Sequence, residues 1–336
     1  MNGSCILSVD CMGSDRGLDV LIDGVAMAAN AMPGVYFLLF GDSVAIQKSA
    51  SKHSSLLNRF RSVDSSSVIT NDTSISRAIS ERMKDSSMRL CLESVASGES
   101  HGALSSGNTG AYLALAKSIL GSIDGIRRPA IISKIPTQVG ESVMLDLGAN
   151  LSCSAEILVQ FAIMGSLYAR YVTKKQNPSV ALLNVGTESY KGSDTLISAR
   201  KLMEAEDLNF LGFLEGDDIY FGKADVYVTD GFTGNISLKT AEGVIKVLMA
   251  QIKREVNQSI VAKVGAFLLK KAFKNVKDLF DPRLYNGAFW IGLKGVAVKS
   301  HGSADAFAFY CAIKTAVDII ESNLNEHIVH DIGNCL

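Results

Sequence analysis

Proline is scarce in this chain, 5 in 336 residues, so no Pro-rich linker marks a domain border. A surplus of one charge is also missing. Lys plus Arg number 33 against 34 Asp plus Glu, a formal net charge of -1 with a sequence pI near 6.5. That balance excludes a protein whose whole surface tracks nucleic acid, so any basic docking patch is local. Long apolar runs are lacking as well. The most apolar stretch, Ile157 to Val172, contains Gln160 and Arg170 and falls short of the roughly 20 residues a bilayer span needs. The opening residues show no basic segment followed by an apolar core and run into Cys5-Ile6-Leu7-Ser8-Val9-Asp10, a strand pattern. A cytoplasmic protein is expected. Cys5, Cys11, Cys91, Cys153, Cys311 and Cys335 form no C-x-x-C and have no His at ligand spacing. Reduced thiols are therefore expected, with no structural metal.

What is present is well-buried globular sequence, 47% hydrophobic and 20% charged. Short β-rich runs recur between longer amphipathic segments: Ile6–Val9, Val35–Phe40, Ser67–Thr70, Ala130–Ile132, Val143–Leu147, Val180–Val185, Ala224–Thr229 and Val296–Val298. Helices are expected at about 17–31, 74–97, 109–121, 154–174, 193–206, 233–256, 260–280 and 303–324. The alternation predicts an α/β fold with a mostly parallel open sheet and helices on both faces. The chain, 1–336, reads as one large unit with a helical elaboration at about 233–285.

Open parallel sheets bind ligands beyond the carboxyl ends of their strands, so the turns after the apolar runs carry the information. Asp10-Cys11-Met12-Gly13-Ser14-Asp15 follows the first strand; an ordinary βα turn uses the same residues. Gly102 to Gly110 then has Gly-x4-Gly spacing, but Asn108 replaces the lysine of a nucleotide-binding loop, which disfavours an NTPase. A Gly/Ser/Thr-rich loop opening a helix still suits phosphate through free N–H groups and the dipole. Simple capping by Asn108 or Thr109 is the structural alternative. Asp225 to Asn235, continuing to Lys239, and Lys299-Ser300-His301-Gly302-Ser303-Ala304-Asp305 are two more such turns. His301 is the histidine placed to transfer a proton near neutral pH. No G-x-G-x-x-G follows a strand, which weakens a dinucleotide reading, and no G-x-S-x-G elbow does either. Asp10, Asp146 and Asp230 each end a strand, but sequence alone does not bring them together around a cation.

At these turns the sequence resembles the bacterial acyl-carrier-protein:phosphate acyltransferase family, PlsX. The matching segments are Asp10–Gly13, Ser106–Gly110, Leu145–Asn150, Leu183–Glu188 with Lys191-Gly192, Val228–Asn235 and Lys299–Asp305, in order along almost the whole chain. The sequence departs from the family at Ser14, at Leu18 and along Asn286–Gly292. The resemblance implies an isocitrate/isopropylmalate-dehydrogenase-like fold, a homodimer and no cofactor. It implies transfer of a fatty acyl group from acyl carrier protein to inorganic phosphate, giving acyl phosphate for phospholipid synthesis. It further implies that Ser106, Gly107, Asn108 and Thr109 cradle phosphate, in a site shaped by Asp10, Gly13, Asp230, Gly231, Ser300 and Gly302. Lys191, Asn235 and Lys239 then supply charge or hydrogen bonds, and His301 protonates the departing thiolate. Rival readings are a phosphate acetyltransferase using coenzyme A thioesters, an isopropylmalate-type dehydrogenase and a non-catalytic membrane-docking scaffold.

Residues 260–280 make a basic amphipathic helix in which Lys263, Lys270, Lys274 and Lys277 share one sector. Such a helix packs on the core or a dimer partner, rests on anionic lipid beside a membrane-bound glycerol-3-phosphate acyltransferase, or receives the acidic carrier protein.

Overall fold

The computed structural model describes residues 5–335, with side chains as far as Ile332; the Cys335 side chain lies outside them. Eleven strands are found among the described residues: β1 (Cys5–Asp10), β2 (Val35–Gly41), β3 (Phe60–Asp64), β4 (Gly102–Ser105), β5 (Ala130–Thr137), β6 (Gly140–Leu145), β7 (Ser179–Leu183), β8 (Asn209–Leu214), β9 (Val226–Val228), β10 (Ala288–Ile291) and β11 (Val296–Lys299). They form one sheet in the order β3-β2-β1-β4-β11-β10-β5-β6-β9-β7-β8. The flanks are parallel, as the continuous apolar runs predict. The middle is not: β10 runs antiparallel to both β11 and β5, and β5 and β6 form an antiparallel hairpin. As a result β6, β9, β7 and β8 run opposite to β1, β4 and β11.

Alternation along each strand feeds two layers. On one face Leu7, Val9, Leu104 and Val298 pack with helices Leu18–Ala31, Ala155–Tyr171 and Ala306–Glu321. Ala155–Tyr171 is apolar nearly all round and buried along most of its length, which accounts for the most apolar stretch without a membrane. No helix among the described residues is long and apolar enough to cross one. On the other face Ala103 and Ala297 pack with Ser87–Ala96 and Thr109–Leu120.

Several elements differ from the sequence expectation. In place of the strand read at Ser67–Thr70, the structure has one at Phe60–Asp64. Segment 74–97 is interrupted, with helices Ile75–Ala78 and Ser87–Ala96 flanking a short 3-10 turn. The amphipathic segment 260–280 breaks at Leu269 into Ile260–Leu268 and Lys270–Leu279, so Lys263 does not share a helix with Lys270, Lys274 and Lys277. The preceding helix, Gly231–Gln258, buries only Gly231 and Gly234.

Candidate active site

Parallel pairing brings three strand ends into one row. Asp10 of β1 is registered with Ser105 of β4, and Ser105 with Lys299 of β11. Register partners on parallel strands share a face, here the face covered by Thr109–Leu120. Asp10 is buried and its carboxylate accepts from Ser87 Oγ at 2.7 Å, Ser105 Oγ at 2.6 Å and Met12 N at 3.1 Å. Burial raises its pKa, opposed by those hydrogen bonds and by Lys299. The turn after it interlocks with the neighbouring turns. Gly13 has φ +77°, and a Cβ there would stand 3.3 Å from Gly107 Cα. Ser14 Oγ and Asp15 N both donate to the Gly302 carbonyl, at 3.2 and 3.0 Å.

The loop after β4 opens the helix Thr109–Leu120. Gly107 N donates to Ser105 Oγ at 3.1 Å. The Asn108 side chain is the N-cap: Oδ1 accepts from Ala111 N at 3.0 Å while Nδ2 donates to the Asn71 carbonyl at 2.9 Å. Capping and tethering thus occupy the Asn108 side chain, which leaves the backbone N–H groups of this loop, and not the Asn108 amide, as free donors. The Thr109 and Gly110 N–H groups, in the first turn, have no intrahelical acceptor. Ser106 Oγ is buried and has no hydrogen-bond partner among the described residues.

Beside this helix lies a cavity of about 380 Å³. Its walls are largely apolar, with Ile131, Ile135, Leu147, Leu238, Ile245 and Phe280. Its polar lining includes Thr109, Asn235, Lys239, Lys299, Ser300 and His301. Asn286, which sequence reasoning did not single out, organises one end. Its Nδ2 donates to Ser300 Oγ and to the Ala308 carbonyl, both at 2.8 Å, and its Oδ1 accepts from His301 N at 3.2 Å. His301 keeps solvent-accessible surface at the mouth. Partial burial nevertheless lowers its imidazole pKa, helped by Lys239, Lys299 and Lys246 and opposed by Glu242. Lys299 is the other omission. The sequence reading places it at the head of the turn Lys299–Asp305 with no role of its own, yet its side chain is buried and lines the cavity.

The remaining expected residues separate into two groups. Asn235 and Lys239 reach the cavity from the helix Gly231–Gln258, Lys239 paired with Glu242 at 3.0 Å. Asp230 and Gly231 serve the backbone. The Asp230 carboxylate caps that helix by accepting from Thr233 N at 2.8 Å, and Gly231 N donates to the Asn150 carbonyl at 2.7 Å. Lys191 stands outside the cavity lining, in the loop after β7, ion-paired with Glu188 at 2.9 Å. Its ammonium pKa is raised by the hydrogen bond to Glu188. No three His, Cys, Asp or Glu side chains converge as a metal site among the described residues. Gly98-Glu99-Ser100-His101-Gly102 has G-x-S-x-G spacing but enters β4 instead of leaving a strand. Ser100 Oγ is buried against Ser8 and Ser94.

Known proteins match nearly the whole chain. Residues 5–327 match the family described as fatty acid synthesis protein. A phosphate acyltransferase of Rhodospirillum rubrum is 45% identical over 335 residues, 99% of this chain and 96% of that protein. Among solved structures, a phosphotransacetylase from Streptococcus pyogenes superposes with a TM-score of 0.63 at 17% identity, covering 95% of this chain and 94% of its own. A Salmonella typhimurium protein described as a 4-hydroxythreonine-4-phosphate dehydrogenase gives 0.51 at 11% identity, over 94% and 99%. These two show that the α/β fold is shared by phosphotransacetylase-like and dehydrogenase-like proteins. With the family matched over nearly its full length, the chain belongs to the fatty acid synthesis protein family, alongside the bacterial phosphate acyltransferases.

Proposed function

We propose that this enzyme transfers a fatty acyl group from the thioester of acyl carrier protein to inorganic phosphate. The observation that carries the reading is a single cavity with an apolar trough and, in its polar lining, Lys299, Ser300, His301 and the first turn of Thr109–Leu120. An acyl chain suits the trough and a phosphate dianion suits the cationic, N–H-rich end. A phosphate oxygen attacks the thioester carbonyl carbon, the new C–O bond forms and the C–S bond breaks. The proton leaving phosphate passes through neutral His301 to the departing thiolate. Phosphate is already a competent nucleophile, so catalysis is mostly orientation and charge stabilisation, with no nucleotide, metal or covalent enzyme intermediate in the scheme. Acyl phosphate formed from long-chain acyl carrier protein and phosphate alone supports this. Turnover only with coenzyme A thioesters or NAD supports the rival enzymes, and none at all supports a scaffold.

For partners, we read the chain as one α/β unit whose helical elaboration, about 233–285, meets a second copy. Val247, Phe267 and Leu268 are 70%, 74% and 76% exposed, more apolar surface than a monomer commonly leaves to water. Sedimentation equilibrium that finds only monomer removes the homodimer. Reversing Lys270, Lys274 and Lys277 to Glu then separates the remaining roles. Lost binding to anionic vesicles indicates peripheral membrane contact, and a raised, salt-sensitive KM indicates carrier-protein docking.

A further inference from the structure

Lys299 is 8% exposed, and a buried ammonium is costly unless its donors and charge are matched. It has three N–H donors. One goes to the Ser300 carbonyl, and among the described residues no carboxylate lies within ion-pairing distance of it. Asp10, in the same row of the sheet, already receives Ser87, Ser105 and Met12. The lysine side chain lines the cavity together with Thr109, Ser300 and His301. A lysine serving only the fold would be expected to end on a carboxylate. This one ends in a cavity with charge and donors unmatched.

We propose that Lys299 is the cation that holds the transferred phosphate, its free donors and charge completing an anion site whose other side is the first turn of Thr109–Leu120. The proposal rests on the reading that this cavity takes phosphate. Desolvation supports it by lowering the Lys299 pKa to about 8, opposed by Asp10 and Asp15. Near pH 8 the empty site is therefore only partly protonated, and an arriving dianion draws in a proton. Asp10 and Asp15 face the amine from β1 and the turn after it, and His301 from its own turn. Lys134, Glu242, Lys239 and Lys246 line the same cavity from β5 and Gly231–Gln258.

Lys299→Met and Lys299→Arg in the full chain test this. Calorimetry with inorganic phosphate at pH 8, in two buffers of different ionisation enthalpy, should show net proton uptake on phosphate binding for the wild type. Lys299→Met should lose that uptake and raise the phosphate KM by roughly 30-fold or more, the scale of a lost buried charge partner, while the thioester KM stays put. Lys299→Arg should restore phosphate use and flatten its dependence on pH, because arginine stays charged. A folded Lys299→Met protein with wild-type phosphate KM and proton uptake overturns the proposal and leaves the phosphate reading standing. Should Lys299→Met not fold, a folded Lys299→Gln protein with wild-type phosphate KM overturns it equally. A wild type that neither binds phosphate nor consumes it overturns both.

Discussion

Asp10 and Asp146 are both strand-end carboxylates, 1% and 0% exposed, and burial raises the pKa of each. Their surroundings differ. Asp146, after β6, accepts from Ile131 N, Gly148 N, Ala149 N, Asn150 N and Asn150 Nδ2, between 2.7 and 3.2 Å. Gly234 presses on the same turn, so that a Cβ there would lie 2.0 Å from the Asp146 carbonyl oxygen. This ring is closed. Asp10 sits where Ser106 Oγ lacks a partner and where a buried lysine opens to the cavity. Aspartate and glycine at a strand end therefore build closed scaffold in one half of the sheet and flank the proposed binding site in the other. What separates them is whether the surrounding polar groups already have partners.

The comparison breaks most severely at Asp146. Asp146→Ala orphans several buried donors at ~1–3 kcal/mol each, so a stability loss of at least about 4 kcal/mol is expected in urea unfolding. Asp10→Asn keeps one of the two acceptor oxygens, so it loses the partner of either Ser105 or of Ser87 and Met12, and should unfold nearer wild type than Asp146→Ala while impairing phosphate use. A stable but inactive Asp146→Ala protein would move Asp146 into the site.

Catalysis sharpens the contrast next. Asn235 lines the cavity and Lys191 does not, although sequence reasoning grouped them. Asn235→Ala is expected to lower kcat by about 10²–10³, the scale of a lost oxyanion donor. Lys191→Ala should leave kcat near normal. Equal losses in both would mean that the loop after β7 reaches the substrate.

Strands β1, β2, β7, β9 and β11 were legible because each is a largely apolar run closed by a turn, whereas the outer strands β3 and β8 were not read at Phe60–Asp64 and Asn209–Leu214. Nor was β4. Its sequence, Gly102-Ala103-Leu104-Ser105, lacks β-branched residues because it is crowded: a Cβ on Gly102 would stand 2.8 Å from Ile320 and 3.2 Å from Val296. Tight packing thus erased the usual strand signal, and the segment read as part of a glycine-rich loop. The antiparallel centre was hidden because sequence spacing does not reveal which strands become neighbours. At the site, Asp10, Thr109 and His301 stood out as turn residues. Lys299, in the same turn as His301, was given no role, since a lysine next to a strand reads the same whether it faces solvent or a cavity.

His301 gives the next effect. Its pKa is lowered, first by burial and then by the lysines around it, so the neutral imidazole prevails at neutral pH and is lost only below the ordinary histidine range. Wild-type kcat/KM should fall as pH drops through that lowered value. His301→Gln should remove this limb and cost about 10²-fold, the low end for general acid–base catalysis because thiolate leaves readily. A pH profile unchanged in His301→Gln assigns the limb elsewhere.

The smallest effect separates scaffold from site within one residue. The Asn108 side chain caps the helix Thr109–Leu120 through Oδ1 and ties it to Asn71 through Nδ2, while in the proposed site the phosphate donors are the neighbouring backbone N–H groups. Asn108→Ala should therefore cost about 1 kcal/mol of stability, as a lost N-cap does, with little change in phosphate KM at temperatures where the protein is folded. Asn108→Asp keeps an N-cap acceptor, so the helix start survives, but it places a carboxylate beside the anion site. Its phosphate KM should rise several-fold, and added salt should reduce the difference by screening the repulsion. If Asn108→Ala raises the phosphate KM while leaving stability untouched, the side chain touches phosphate directly and the cap is incidental. If Asn108→Asp leaves phosphate KM unchanged at low salt, the anion does not sit at this helix end, and the cationic end of the cavity must be sought elsewhere in its lining.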